Sequence, residues 1–364
     1  VNAAWNELDV AELDTPVLVV DRPRLLANLD AATSAAARAE VALRPHVKTH
    51  KSVQLARLQV ERGATGLTVA TVGEAEVLAD AGFDDLFIAF PVRASGPKAD
   101  RLAALAHRLR LRVGVESVDS ARLLAAALRG TSAALLVELD SGGRRTGLAS
   151  MEAALEVADA ARRHGATIDG AFTHGGHSYA GPSAREGAAA DEVRTLLRAG
   201  AALSERGHEV RVLSAGSTPT MLAAARRPVS EIRPGTYVFH DRLQVALGVA
   251  RPNDVALVVA TTVISRHRDR AVVDAGAKTL SKDVPSPLVG HGAVLGRPDL
   301  LVERVYDHHG VLVGPADQLP ALGDVVWIVP NHVCPVVDLA PDLLVVDADG
   351  SHELWPVDAR GRSR

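Results

Sequence analysis

From about residue 40 to residue 247 the chain repeats one pattern, a short apolar run followed by an Ala/Leu-rich stretch with helical spacing. The apolar runs are VALRPHVK (41–48), GLTVA (66–70), DLFIAF (85–90), LRVGVE (111–116), LLVELD (135–140), TIDGAFTH (167–174), VRVLSAG (210–216) and EIRPGTYV (231–238). Between them lie helix-like segments such as VGEAEVLADAG (72–82), DSARLLAAALRG (119–130) and MEAALEVADAARRHG (151–165). Asp119 or Ser120 is placed to cap one helix, and Gly82, Gly130 and Gly165 stand where helices commonly stop. Eight strand–helix units predict an α/β fold, a parallel (β/α)8 barrel. A doubly wound open sheet uses the same alternation, but no GxGxxG follows the first strand.

After about residue 248 the texture changes. ALVVATTVISR, RAVVDAG, GVLVG, GDVVWIVP and DLLVVDADG are β-like runs separated by Gly, Pro and Asp turns. The expected organisation is therefore a barrel over residues 15–247 and a β-rich domain over 248–364, with residues 1–14 packing beside them. The formal net charge of −4 and the scattered basic residues give no footing for nucleic acid or an anionic membrane. Aromatic residues at 3% also argue against a base-stacking surface. Cys334 is the single cysteine, which excludes an intrachain disulfide and suits a reducing compartment. The opening VNAAWNELDV lacks the regions of a signal peptide, and no run approaches a membrane span; a cytoplasmic protein is expected.

Catalytic groups of a β/α barrel gather at the carboxyl ends of its strands. There the sequence places Arg44-Pro45-His46-Val47-Lys48-Thr49-His50-Lys51, with 44, 46 and 48 sharing one face because strand side chains alternate. Three basic groups on one side are costly to desolvate unless an anion sits among them. Asp140 to Gly147 (DSGGRRTG) ends the fifth strand, and Thr173 to Tyr179 (THGGHSY) ends the sixth. Ser214 to Thr220 (SAGSTPT) ends the seventh, and such a Gly/Ser/Thr turn offers N–H groups and hydroxyls to a phosphate.

Taken together, RPHVKTHK, DSGGRRTG, THGGHSY, SAGSTPT, RPGTY and PNHVCP resemble the D-serine dehydratase and D-threonine aldolase family, from about residue 15 to about 340. That family belongs to the fold-type III, alanine-racemase-like pyridoxal-phosphate enzymes. The resemblance implies that Lys48 carries the cofactor, with Lys51 as second choice. Cationic neighbours, His46 and Arg44, are expected to favour its neutral amine. Arg145 is placed beside the cofactor's phenolic oxygen, with Arg144 open as the alternative. Ser214, Gly216, Ser217 and Thr218 would hold the phosphate, helped by Gly235, Thr236 and Tyr237. His174, His177 and Tyr179 would lie beside the cofactor plane, His177 and Tyr179 as candidate acid–base groups.

Pro330-Asn331-His332-Val333-Cys334-Pro335 supplies His332 and Cys334, which share a face if they lie in a strand and could bind one metal. A thiolate ligand favours Zn²⁺, with Mn²⁺ or Mg²⁺ as alternatives. The His-x-Cys form resembles the dehydratase branch, whereas aldolase members usually carry His-x-Asp. Where the family has an acidic EEHG-like segment this chain has Asp307-His308-His309-Gly310, which leaves substrate contacts there open. The expected reaction is β-elimination from a D-3-hydroxy amino acid such as D-serine, giving a 2-oxo acid and ammonia. The alternative is retro-aldol cleavage to glycine and an aldehyde. A non-catalytic pyridoxal-phosphate-binding protein fits less well, since the single-barrel proteins of that kind lack a second β domain. A homodimer is expected from the resemblance alone.

Overall fold

The computed structural model describes residues 3–364, and the chain divides into two compact units. One comprises residues 32–48, 55–235 and 361–364; the other comprises residues 3–31, 49–54 and 236–360. Strand β1 (Val17–Asp21) and helix α1 (Arg22–Arg38) lead into eight further strands. These are β2 (Ala42–Leu43), β3 (Leu67–Val69), β4 (Asp85–Pro91), β5 (Arg110–Val115), β6 (Ala134–Leu139), β7 (Thr167–Thr173), β8 (Val212–Ala215) and β9 (Glu231–Ile232). Helices α2 (Val53–Glu61), α3 (Val72–Asp80), α4 (Pro97–Arg108), α5 (Val118–Ala127), α6 (Met151–Arg163), α7 (Ala184–Glu205) and α8 (Met221–Ala224) alternate with them.

All eight pair in parallel, in the order β2-β9-β8-β7-β6-β5-β4-β3. A parallel bridge between His46 and Thr68, with Thr68 N–H donating to Pro45 O at 2.8 Å, joins the two ends. The sheet thereby closes into the expected barrel. Its interior is packed by Phe87, Leu136, Phe172 and Val212, and Phe87 meets Phe172 edge-to-face with centroids 5.1 Å apart. Gly114 makes room for this pair, since a Cβ there would meet Phe172 Cζ at 2.8 Å.

The helices stop at Gly82, Gly130 and Gly165, whose φ angles of +91°, +78° and +88° suit glycine. The cap of α5 is Ser117, which accepts from Ser120 N–H; neither Asp119 nor Ser120 fills that place. The first and last barrel strands are shorter than the apolar runs suggest. Regular pairing of β2 ends at Leu43, although Arg44 N–H and His46 N–H still reach Ile232 O and Pro234 O, each at 2.9 Å. Val47–Thr49 then form a 3-10 turn, so Lys48 leaves the strand and no longer shares the alternation of residues 44 and 46. In β9 the ladder stops because Pro234 has no N–H to give, and Thr236–Val238 turn away.

The second unit is built on a nine-stranded sheet. Beyond the short helix α9 (Arg242–Ala246) come β10 (Leu257–Arg266), β11 (Ala271–Val273), α10 (Ala277–Leu280), β12 (Gly292–Val294) and β13 (Leu301–Val305). They are followed by β14 (Gly310–Val313), β15 (Val325–Pro330), α11 (Val333–Leu339), β16 (Asp342–Val346) and β17 (His352–Pro356). The order is β11-β14-β13-β12-β15-β10-β1-β16-β17, antiparallel except for β1 with β16. Strand β1 therefore belongs to this sheet, whereas a single cut at residue 247/248 groups it with the barrel. VLVVD is apolar enough for either sheet, and only its pairing partners, β10 and β16, decide. Among the described residues no helix is long and apolar enough to cross a membrane.

Candidate active site

Lys48 sits in the turn after β2, its backbone N–H 3.4 Å from His46 Nδ1, and no carboxylate engages its amine among the described residues. Two imidazoles surround it electrostatically. Burial, reinforced by the charges of Lys48, Arg233 and Arg145, drives His46 well below the usual histidine range. Burial and the same three cations take His174 down to about 3. Both rings are neutral at physiological pH. The cationic neighbours expected for Lys48 are thus corrected: His46 is uncharged, and Arg44 is spent on Glu231 (2.8 Å) and Asp85 (2.7 Å) inside the barrel. Lys51, the second choice, is ion-paired with Asp338 at 2.6 Å.

The loop after β6 is pinned by Asp140 Oδ1, which accepts from Gly142 N–H (2.8 Å) and Arg144 N–H (3.1 Å). Arg144 takes a left-handed φ of +50°. The charge of Arg145 bears on His46, His174 and Glu138. His174 and Tyr179 have ring centroids 6.3 Å apart. His177 lies over Gly142, where a Cβ would come within 3.0 Å of its Cε1. Its Nε2 is 3.2 Å from Asp191 Oδ2, and its Nδ1 is buried without a partner.

In the turn after β8, Gly216 has φ +76°, and a Cβ there would meet Ile232 Cγ2 at 2.8 Å. Ser217 Oγ lies 3.2 Å from Thr220 Oγ1, and Thr218 Oγ1 accepts from Gly235 N–H at 3.2 Å. Helix α8 is a single turn, so an anion here depends on the turn's own N–H groups and hydroxyls. Ser214 is differently placed from the other three. Its hydroxyl donates to Glu231 Oε1 at 2.6 Å and accepts from Arg233, inside the barrel. Thr236 Oγ1 is buried without a partner, and Tyr237 is buried.

The sequence reading passed over Arg233, Glu138 and Glu192. Arg233 is buried over Phe87 (5.6 Å) and Phe172 (5.4 Å) and donates to Thr173 O at 2.8 Å. The alternation of Glu231 and Arg233 around Ile232 was its available signal. Glu192 reaches in from α7 to accept Gly175 N–H at 2.7 Å and Gly216 N–H at 3.4 Å, tying together the loops after β7 and β8. Burial raises both Glu138 and Glu192 above the usual carboxylate range. Glu138 Oε2, Glu192 Oε2, His177 Nδ1 and Ser178 Oγ are all buried and unpartnered. Buried polar atoms are rarely left unpaired. A free amine, an unpaired arginine, a Gly/Ser/Thr turn and these open hydrogen-bonding atoms fit pyridoxal phosphate.

In the second unit β15 ends at Pro330, His332 caps α11, and Cys334 lies in its first turn. Strand alternation therefore does not bring the pair together; the strand-to-helix turn does, and the two side chains are hydrogen-bonded. Burial opposes the charged form of His332, but the Cys334 sulfur, then Asp241 and Asp283, outweigh it and raise the ring to about 10. Asp283 Oδ2 lies 2.6 Å from His332 Nδ1, and Thr49 Oγ1 lies 3.3 Å from Cys334 Sγ. One nitrogen and one sulfur donor fit a borderline-soft cation such as zinc. Among the described residues no cluster of three or more His, Cys, Asp or Glu side chains is arranged for a metal, so a bound ion would take further ligands from water or substrate. At the departure from the family pattern, Asp307 Oδ2 is 3.5 Å from Lys278 Nζ on an exposed hairpin.

Residues 20–242 match the family described as "Alanine racemase, N-terminal domain", and residues 256–346 match "Putative serine dehydratase domain". The chain belongs to the alanine-racemase-like, fold-type III family of pyridoxal-phosphate enzymes. It is similar to D-threo-3-hydroxyaspartate dehydratase of Delftia sp. (strain HT23), at 36% identity over 94% of this chain and 97% of that protein. The solved structure of that dehydratase superposes with a TM-score of 0.90 at 34% identity, covering 95% of this chain and 98% of the other. D-threonine aldolase of Arthrobacter sp. is 32% identical over 98% of this chain and 95% of its own length. A cysteine-to-alanine mutant of a D-threo-3-hydroxyaspartate dehydratase has been solved in a metal-free form, with a TM-score of 0.89 at 33% identity over 95% of this chain and 98% of that one.

Proposed function

We propose that this protein is a pyridoxal-phosphate- and metal-dependent lyase of D-3-hydroxy amino acids, and that its reaction is β-elimination to a 2-oxo acid and ammonia. The observation that carries the choice is Cys334, hydrogen-bonded to His332 and to Thr49, the residue that follows Lys48 in the chain. The relatives support it, since they include a dehydratase of D-threo-3-hydroxyaspartate whose cysteine mutant was solved in a metal-free form. Lys48 would anchor the cofactor, Arg145 would face its phenolic oxygen, and Gly216, Ser217, Thr218, Gly235 and Thr236 would hold its phosphate. When bound, pyridoxal phosphate supplies an electron sink for negative charge developing at the substrate Cα. A zinc ion on His332 and Cys334 supplies Lewis acidity toward the β-hydroxyl, a poor leaving group without help.

The chain's own groups then have defined tasks. Lys48 Nζ, which no carboxylate engages among the described residues, removes the proton from Cα. Neutral His46 and His174 shape the site without adding positive charge. His177, its Nε2 on Asp191, presents Nδ1 as an acid–base group, with Tyr179 as the alternative. Aldol cleavage is the second reading, favoured by the similarity to D-threonine aldolase over nearly the whole chain. Carbon-labelled D-serine, D-threonine and D-3-hydroxyaspartate followed by NMR separate the two. Elimination yields a 2-oxo acid and ammonia, keeping every substrate carbon in one product. Glycine plus an aldehyde as dominant products across the panel would replace the dehydratase reading with the aldolase. A homodimer belongs to the same reading and is checked by light scattering.

A further inference from the structure

We propose that Asp283 is a positioning residue for the metal, accepting the Nδ1–H of His332 and so turning its Nε2 toward the ion beside Cys334 Sγ. This rests on the metal reading above. The contact is short, 2.6 Å between His332 Nδ1 and Asp283 Oδ2, and spans 49 residues of sequence. An imidazole that donates from one nitrogen to a carboxylate is fixed in one tautomer, with the other lone pair left for a cation. The carboxylate also makes that second nitrogen a better donor.

The surrounding chain is built to hold this pairing. Asn331, buried beside His332, donates from Nδ2 to Asp283 O (3.1 Å) and to Gly290 O (2.7 Å). Arg242 Nη1 donates to Val289 O (2.6 Å) and to Asn331 Oδ1 (3.0 Å). Asp241 Oδ2 accepts from Val333 N–H at 3.0 Å, which fixes the segment between the two ligands. Three stretches, 241–242, 283–290 and 331–333, are thus locked into one arrangement whose free product is the direction of the His332 ring. Asp283 Oδ2 is itself engaged by that ring, and no three-donor cluster forms among the described residues. Asp283 therefore acts through His332 and is not a third ligand.

The test is zinc affinity of the full chain, measured by competition with a chromophoric chelator, with cobalt substitution as the spectroscopic readout. Asp283→Ala should weaken zinc by about 10–100-fold. Asp283→Asn, which keeps a carbonyl acceptor, should recover most of that loss. The sulfur-to-cobalt charge-transfer band should persist in both variants and vanish in Cys334→Ala. ¹⁵N NMR of the zinc-loaded wild type should show the metal on Nε2 and the proton on Nδ1 of His332. That spectrum decides the matter alone should Asp283→Ala fail to fold, since zinc on Nδ1 overturns the proposal. Equal zinc affinities in wild type and Asp283→Ala overturn it while leaving the metal site standing. Loss of an oxygen donor from the cobalt shell in Asp283→Ala would make Asp283 a ligand, also against the proposal. A wild type that binds neither zinc nor cobalt removes the metal reading and the inference together.

Discussion

At the N-terminal end of the barrel, arginines and carboxylates alternate from strand to strand. Arg44 pairs with Glu231 and Asp85, Arg112 with Asp85 and Asp169, Arg211 with Asp169, and Arg110 with Asp85. At the C-terminal end Lys48 and Arg145 have no ion-pair partner among the described residues, and burial keeps the nearby His46 and His174 neutral. The same eight strands carry both ends, so the fold does not explain the difference. A paired network satisfies its own charges and has nothing left to offer a ligand. Cations without partners, beside buried atoms without hydrogen bonds, are stabilised only when something anionic arrives.

Removing the amine breaks the open end most severely. Lys48→Ala should abolish the visible absorption of bound cofactor and lower kcat/KM by at least ~10³, about 4 kcal/mol. Lys51→Met is the control: it removes a buried ammonium from its pair with the more exposed Asp338, should cost about 1–3 kcal/mol of stability, and should keep the absorption. Cofactor trapped on Lys51 after borohydride reduction and peptide mapping would sink the assignment.

The paired end should fail in stability. Arg44→Met leaves Glu231 and Asp85 short of a counter-charge, so cofactor-free protein should lose about 3–5 kcal/mol in urea unfolding. A loss under ~1 kcal/mol would mean that the network contributes little and the two ends differ less than their geometry suggests. Arg145→Gln sharpens the contrast from the other side. The unfolding midpoint of the cofactor-free protein should barely move, while kcat/KM falls about 10–100-fold, or ~1.4–2.7 kcal/mol.

The effect that is smallest at any one pH near neutrality is a slope. His174 has a folded pKa of about 3 against the ordinary 6.5, so below pH 6.5 the unfolded chain binds a proton that the folded chain refuses. The stability it contributes is full above pH 6.5 and is lost as pH falls toward 3. The slope is up to ~1.4 kcal/mol per pH unit for one proton. His174→Asn should flatten the stability profile in that window by one proton. An unchanged slope would show that His174 titrates normally.

The placement of the site was legible in the sequence because strand ends announce themselves. DSGGRRTG, THGGHSY and SAGSTPT each follow an apolar run and stand at the carboxyl ends of β6, β7 and β8, as Lys48 stands in the turn after β2. The choice within each motif was not legible. Arg144 and Arg145 are neighbours of the same type, and only the structure shows that Arg144 takes a left-handed φ. Ser214 looked like one more hydroxyl of a phosphate turn until Glu231 and Arg233 closed on it. His332 and Cys334 were paired by spacing through an argument about strands, and a helix start brought them together instead.

The sequence by itself determined the alternation of strand and helix, the barrel, the β-rich texture after residue 248 and the set of candidate groups. Those features depend on local periodicity, which neighbouring residues impose on one another through backbone geometry. The tertiary structure decided which candidates carry charge and which are already engaged. Glu231 reaches Arg44 across 187 positions, and Asp338 reaches Lys51 across 287. Coulomb and desolvation energies depend on distance in space, and the order of residues along the chain does not encode it.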